Sequence, residues 1–119
     1  MYCVAVVGSR GFTDWKVLKE TLDMLHFEQP IDCIVSGGAK GADTLGERWA
    51  LENNVETRIY KPEWRKNGVY DKTAGIRRNR DIVRDADVVV AFWDQASKGT
   101  ASTIQFAKEA GKKVHIILF

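Results

Sequence analysis

The sequence is poor in the residues that build metal centres and covalent catalytic sites. It holds two cysteines and two histidines in 119 residues. Cys3 and Cys33 lie in apolar runs without CxxC or Cys/His spacing, so we interpret both as core residues rather than a redox pair or zinc ligands. His26 and His115 have no metal or nucleophile partner by spacing. We therefore expect no metal site and no cofactor, and no Ser/His/Asp arrangement emerges.

Long apolar runs are also absent. No segment approaches the roughly 20 apolar residues that a membrane-spanning helix needs. The N-terminus enters an apolar run of strand length at once, without the basic and apolar regions of a signal peptide. A hydrophobic content of 45% and a charged content of 29% are typical of a globular protein. We expect one domain over residues 1–119, in the cytoplasm and not at a membrane.

The familiar phosphate-binding fingerprints are missing, but two other glycine turns are present. Gly111-Lys112 is not a P-loop, because no Ser or Thr follows it and a strand comes next. The first glycine turn, at residues 8–11, reads GSRG, and the second, at 36–43, reads SGGAKGAD. Each follows a short apolar run and precedes a stretch with helical spacing. Such a unit lays phosphate against backbone N–H groups at a helix N-terminus, so a nucleotide-type ligand is the leading hypothesis.

Apolar runs alternate with helical patterns along the whole chain. The predicted strands cover residues 3–7, 32–36, 56–60, 87–92 and 113–118. The predicted helices cover about 14–26, with Thr13 as N-cap, 42–53, 73–85, with Ile76 facing inward, and 100–110. Because most of the strand runs are continuous, we expect strands covered by helices on both faces. The chain therefore predicts an α/β fold, a Rossmann-like, doubly wound, parallel five-stranded sheet with strand order 3-2-1-4-5.

In such a sheet the strand order reverses between the first and fourth strands. Ligands bind in the crevice beyond the strand ends at that point. Both glycine turns and a third turn, at Gly99-Thr100, would line this crevice. Thr100 could hold a phosphate or simply cap its helix, and Asp43 could accept a hydrogen bond from a ribose hydroxyl or simply favour the helix dipole. We therefore expect a ligand in this crevice, bound at the N-termini of three helices.

Positive charge is concentrated in residues 58–84. This segment has nine Lys/Arg and three acidic residues, which gives it a net charge of +6. The whole chain has a net charge of +2, so the remaining residues together carry −4. Arg77 and Arg80 share a helix face, and guanidinium groups suit phosphate. Asn79 between them could read a base edge or a ribose. A base could also stack on one of the aromatic residues Phe12, Trp64 or Trp93, although packing is their commoner role.

Four segments together resemble the SLOG superfamily, a Rossmann-like group that contains the LOG phosphoribohydrolases and the DNA-processing protein A domains. They are VVGSRGF at 6–12, SGGAKGAD at 36–43, RRNRDI at 77–82 and KGTASTIQFA at 98–107. The chain is most similar to the small YspA/YpsA-related branch. The resemblance implies a nucleotide-related ligand bound by Gly8, Ser9, Arg10, Gly37, Gly38, Gly41, Asp43, Arg77, Asn79, Arg80, Gly99, Thr100 and Thr103.

One departure from the family pattern bears on catalysis. LOG enzymes carry a glutamate in a PGGxGTxxE motif, and Thr103 occupies that position here. A threonine cannot act as the carboxylate of glycosidic cleavage. Binding of a nucleotide or nucleotide-derived molecule is therefore the leading hypothesis. Two alternatives stay open: a nucleotide N-glycosidic or phosphoester hydrolase using Asp43 or Glu47, and a nucleic-acid-binding module. Related folds also suggest a homodimer.

Overall fold

The computed structural model describes residues 1–119, with every side chain except that of Lys66, one of the nine basic residues of the 58–84 segment. Eleven elements follow one another along the chain. They are β1 (Cys3–Gly8), α1 (Trp15–Glu28), β2 (Cys33–Ser36), α2 (Ala42–Glu52), β3 (Glu56–Ile59), β4 (Arg65–Lys66), β5 (Val69–Tyr70), α3 (Ala74–Asp85), β6 (Val88–Trp93), α4 (Lys98–Glu109) and β7 (Lys113–Leu118).

Five of the strands form one parallel sheet in the order β3-β2-β1-β6-β7. Counting only these strands, the order is 3-2-1-4-5, so the predicted Rossmann-like sheet is confirmed. Because β1 lies between β2 and β6, the chain reverses direction across the sheet beside β1. Gly8, the last residue of β1, pairs with Phe92 of β6 at this point. This pairing sets the floor of the crevice.

Helices cover both faces of the sheet, as the continuous apolar strands require. Val4 and Val6 point to the face that packs against α1 and α2, where Trp49 is fully buried. Ala5 and Val7 point to the opposite face, which packs against α3 and α4. Both faces of β1 are therefore buried, which explains why its sequence does not alternate. No helix among the described residues is long and apolar enough to cross a membrane.

Two local predictions were wrong. The N-cap of α1 is Asp14 rather than Thr13, because the Asp14 carboxylate accepts the N–H of Val17 at 3.2 Å. Ile76 is 47% exposed instead of core-facing, because α3 turns Asn79 and Ile82 inward. The connection at residues 61–72 also contains the antiparallel hairpin β4–β5, which was not predicted.

We predict that Leu22→Ala lowers the free energy of unfolding by about 2–5 kcal/mol, because it removes a fully buried side chain and leaves a cavity. The matched control is Leu51→Ala, also in a helix, where the leucine is 80% exposed and we expect a change within about 0.5 kcal/mol. Urea unfolding measures both. Equal effects in the two variants would contradict the assigned core.

Candidate functional site

A cavity of about 230 Å³ lies at the carboxyl end of β1, where the strand order reverses. We name it the switch-point cavity. Its walls come from the end of β1, the loop before α2, and the helices α2, α3 and α4. The lining residues are Val7, Gly8, Arg10, Ala39, Asp43, Arg78, Asn79, Ile82, Ser97, Gly99, Thr100 and Thr103.

The two glycine turns pack directly against each other. A Cβ atom at Gly41 would lie 2.4 Å from the carbonyl oxygen of Ser9, and Gly41 has a φ of +86°. A Cβ atom at Gly8 would lie 2.4 Å from the carbonyl oxygen of Phe92. Neither position has room for a side chain, and Gly41 also needs the left-handed backbone region that glycine adopts without strain. Close approach of backbones at these glycines is what forms the cavity wall.

The first turn holds its own serine and presents its arginine. The N–H of Ser9 donates to the Phe92 carbonyl at 2.9 Å, and its Oγ accepts the N–H of Asp94 at 3.2 Å. Ser9 is buried, so its hydroxyl ties β1 to β6 instead of facing the cavity. Arg10 is exposed and lines the cavity. The turn therefore contributes a guanidinium group to the site.

Asp43 holds the second glycine turn through a hydrogen bond to its backbone. Its Oδ2 accepts the N–H of Gly37 at 2.9 Å. Burial raises the pKa of Asp43 from 3.8 to about 6, against the opposing effects of this hydrogen bond, of the nearby Ala39 backbone and of the Arg78 guanidinium. Its carboxylate thus holds the loop and also borders the cavity.

Arg78 connects that loop to α3. Its guanidinium donates to the carbonyl oxygen of Gly37 at 2.8 Å, and its Nε donates to Oδ1 of Asn79 at 2.9 Å. Burial, together with the neighbouring Arg10 cation, lowers the pKa of Arg78, whereas Asp43 raises it. An arginine stays charged in such surroundings. Arg78 is therefore a second cation at the cavity, fixed in place by hydrogen bonds.

The start of α4 forms the remaining wall. Its N-cap is Ser97, whose Oγ accepts the N–H of Thr100 at 3.3 Å, so Thr100 is not the cap. The Gly99 carbonyl accepts from Asn79 Nδ2 at 3.3 Å and from Thr103 Oγ1 at 3.1 Å. Gly99 has open space where a Cβ would lie, which leaves its backbone approachable from the cavity. The first turn of α4 is thus a helix N-terminus facing the site.

Seven of the thirteen sequence-predicted residues line the cavity. They are Gly8, Arg10, Asp43, Asn79, Gly99, Thr100 and Thr103. Four more, Ser9, Gly37, Gly38 and Gly41, build the two turns behind it. The last two lie elsewhere: Arg77 forms an ion pair with Asp71, and the Arg80 guanidinium lies 5.0 Å from the centre of the Phe106 ring. The first turn of α1 does not line the cavity either.

Arg78 is a charged lining residue that was not predicted, and Ser97 also lines the cavity without having been predicted. Arg77 and Arg80 were predicted instead because they lie three positions apart on one helix face. The spacing Asn79, Ile82, Val83 and Ala86 describes the buried face of α3, and it places Arg78 beside the sheet.

Two of the three candidate stacking aromatics have structural roles. Phe12 is 2% exposed and stacks on Phe92, with the ring centres 4.6 Å apart. The indole N–H of Trp93 donates to the Ser97 carbonyl at 3.0 Å. Trp64 is partly exposed beside the hairpin. No group of three or more His, Cys, Asp or Glu suited to a metal ion occurs in the part of the chain that the structure describes.

The structure defines an α/β protein of Rossmann-like fold with a cation-lined cavity at the switch point of its sheet. The chain belongs to the YspA, cpYpsA-related SLOG family (YAcAr), whose family model matches residues 2–67. It is 36% identical over 115 residues to the Gene 61 protein of Mycobacterium phage D29, with 91% of this chain and 90% of that protein covered. The predicted family membership is confirmed.

Solved structures of two larger proteins share the fold. DNA processing protein A from Streptococcus pneumoniae superposes with a TM-score of 0.79 and 26% identity, covering 98% of this chain and 50% of that one. DNA processing protein A from Helicobacter pylori, described for its single-stranded DNA binding mode, gives a TM-score of 0.75 and 24% identity, covering 97% and 64%. The chain thus spans half of the first protein and less than two thirds of the second.

We predict that acidification stabilises the wild-type protein relative to Asp43→Asn. Since the pKa of Asp43 is raised to about 6, the folded protein binds its proton more tightly than the unfolded chain does. The ionised carboxylate therefore costs stability above pH 6, and this cost is relieved as the pH falls towards 4. The asparagine variant keeps an oxygen for the Gly37 N–H but does not titrate.

The measurement is urea unfolding of both proteins in phosphate-free buffers between pH 4 and 7.5. The difference in free energy of unfolding should change by on the order of 3 kcal/mol in favour of the wild type at the acidic end. Effects of the histidines are common to both proteins and cancel in the difference. Parallel pH profiles would show that Asp43 titrates normally.

Proposed function

We propose that the protein binds a nucleotide or a nucleotide-derived small molecule, with a phosphate group in the switch-point cavity. The observation that carries this proposal is the charge of the cavity wall. Arg10 and Arg78 supply two guanidinium groups, against Asp43 as the carboxylate among the lining residues. The first turn of α4 adds the positive end of a helix dipole. Such a wall favours a compact anion.

The placement of the two arginines supports the same conclusion. Arg10 and Arg78 line the same cavity, and burial together with the Arg10 cation lowers the pKa of Arg78. A phosphate between them would accept hydrogen bonds in the planar geometry that guanidinium groups provide. Thr100 and Gly99 line the opposite wall with a hydroxyl and an approachable backbone. The site thus combines the donors that phosphate recognition uses.

The volume sets a limit on what enters the cavity. Pockets for complete small molecules usually measure about 300–1,000 Å³. At about 230 Å³, the switch-point cavity suits a phosphate with part of a ribose. The remainder of a nucleotide would extend beyond it.

A nucleic-acid-binding module is the second candidate. It is favoured by the net charge of +6 in residues 58–84 and by the structural similarity to DNA processing protein A, which binds single-stranded DNA in Helicobacter pylori. That net charge already counts Asp71 and Asp81, which pair with Arg77 and Arg84, and pairing of Arg84 with the neighbouring Asp85 lowers it by only one more. A small-molecule ligand is the first candidate because Arg10 and Arg78 line a cavity and not an extended surface.

Hydrolysis of the bound nucleotide is the catalytic alternative. Thr103 donates its hydroxyl to the Gly99 carbonyl, and Glu47 accepts the hydroxyl of Ser36 outside the cavity. Asp43 would therefore have to supply the carboxylate, although it already holds the second turn. Homodimer formation and a cytoplasmic location remain predictions.

We predict that Arg10→Ala weakens the binding of AMP by about 10- to 100-fold, because a hydrogen-bonded charge contact contributes on the order of 1.5–3 kcal/mol. Stability should not change, since Arg10 is exposed and makes no hydrogen bond or ion pair with a described side chain. Isothermal titration gives the affinity, and chromatography of the mixture detects released base or phosphate.

The matched control is Arg80→Ala, which removes an exposed arginine that packs on Phe106 away from the cavity. Its affinity for AMP should equal that of the wild type. Should inorganic phosphate, AMP, ATP, NAD and ADP-ribose all fail to bind the wild type, the proposal is wrong. Release of a product from a bound ligand would identify an enzyme.

We predict that a 12-residue oligothymidylate binds no more tightly than AMP, because the cavity accommodates one phosphate group. Fluorescence anisotropy at 50 and 200 mM salt tests this directly. Tight binding that weakens steeply with salt, by about 0.7 in log–log slope for each phosphate contact, would favour the nucleic-acid module instead.

A further inference from the structure

A larger cavity adjoins the switch-point cavity through one side chain. It measures about 690 Å³ and lies between the segment 59–63, which follows β3, and α3. Arg78 lines both cavities, and Lys61 packs its aliphatic stem near Gly38 in the second glycine turn. We name this second space the hairpin cavity, because the residues flanking the β4–β5 hairpin, Glu63 and Asp71, border it.

The charges around the hairpin cavity cancel. Three basic and three acidic side chains line it: Lys61, Arg77, Arg78, Glu63, Asp71 and Asp81. Two of the carboxylates are already paired, Asp71 with Arg77 and Asp81 with Arg84. A wall without net charge does not favour a second phosphate. It offers acceptors and donors to an uncharged polar group, such as the hydroxyls of a ribose or the edge of a base.

The hairpin carries two aromatic residues, Trp64 and Tyr70, which are the chain neighbours of the lining residues Glu63 and Asp71. Its turn has positive φ at Asn67 (+53°) and Gly68 (+79°), the pattern of a tight type I′ connection. The rings of Trp64 and Tyr70 lie with centres 6.3 Å apart and planes 19° from parallel. They are 44% and 54% exposed, although rings of this size are usually well buried in a stable core.

Packing against α3 fixes the position of this aromatic pair. A Cβ atom at Gly75 would lie 3.1 Å from the six-membered ring of the Trp64 indole, so the indole rests on the first turn of the helix. The Asp71 N–H donates to the Trp64 carbonyl at 2.6 Å, which closes the base of the hairpin. The exposed faces of the two rings are therefore held in place.

We propose that the hairpin cavity takes the nucleoside end of the ligand, with its base stacked on the Trp64–Tyr70 pair and its phosphate in the switch-point cavity. This inference rests on the proposed function and adds the element that distinguishes a nucleotide from free phosphate. The charged cavity is too small for a whole nucleotide, and the adjoining neutral one supplies the missing volume. The ligand is thus a nucleotide with a single phosphate-bearing end.

The test compares inorganic phosphate with AMP by isothermal titration on the wild type and on Trp64→Ala. We expect AMP to bind the wild type more tightly than phosphate does. Loss of one stacking ring should weaken AMP by about 5- to 150-fold and leave the affinity for phosphate unchanged. Trp64→Phe, which keeps a stacking ring, should restore most of the AMP affinity.

The matched control is Phe27→Ala, which removes a 90% exposed aromatic ring on α1, away from both cavities. It should bind AMP and phosphate as the wild type does. Fluorescence quenching supplies an independent readout if Trp64→Ala does not fold: AMP should quench the tryptophan emission of the wild type, and Trp64→Phe should lose that quenching while phosphate causes none in either protein.

The two proposals fail in different ways. If neither phosphate nor AMP binds the wild type, the proposed function is wrong and the nucleoside subsite falls with it. If both bind with equal affinity, or if AMP binds Trp64→Ala as tightly as the wild type, the phosphate site stands and the hairpin does not recognise the base.

Discussion

The contact between the two glycine turns is the constraint on which the site depends. The turn after β1 and the turn before α2 touch through backbone alone, at Gly41 and the carbonyl of Ser9. At Gly8 the end of β1 approaches β6 equally closely. A methyl group at either glycine would push apart the elements that carry Arg10, Asp43 and the start of α4. The cavity therefore owes its shape to residues that have no functional group of their own.

Arg78 and Asp43 add an electrostatic constraint to this geometric one. Both side chains are at least half-buried, and each hydrogen-bonds the backbone of the second turn while bordering the cavity. Asn79 extends the connection from Arg78 to the Gly99 carbonyl of α4. The loop, α3 and α4 are thus joined by polar contacts where apolar packing ends. Position and charge at the site come from the same side chains.

Sequence patterns predicted the strand order of the sheet correctly, but they did not identify which face of α3 is buried. Continuous apolar runs such as residues 88–92 identify strands buried on both sides, and crossover handedness then limits their order. Asn79 is a buried polar residue at a position of α3 where an apolar residue would be expected. The buried face of that helix was therefore not recognised, and Arg78 was not predicted as a site residue. The hairpin strands have two residues each, too few for any alternation to show despite the Asn67-Gly68 turn. Local patterns therefore located the turns, whereas side-chain direction depended on tertiary packing.

The raised pKa of Asp43 gives the switch-point cavity a chemical property beyond its charge. A phosphate monoester loses its second proton near pH 6, and the pKa of Asp43 is also about 6. A dianion entering the cavity disfavours the ionised carboxylate, so Asp43 would take up a proton as the ligand binds. Ligand and wall would then share one proton between two sites of similar basicity. Binding of a phosphate monoester at this site would then be coupled to proton uptake, and its affinity would change with small changes of pH near 6.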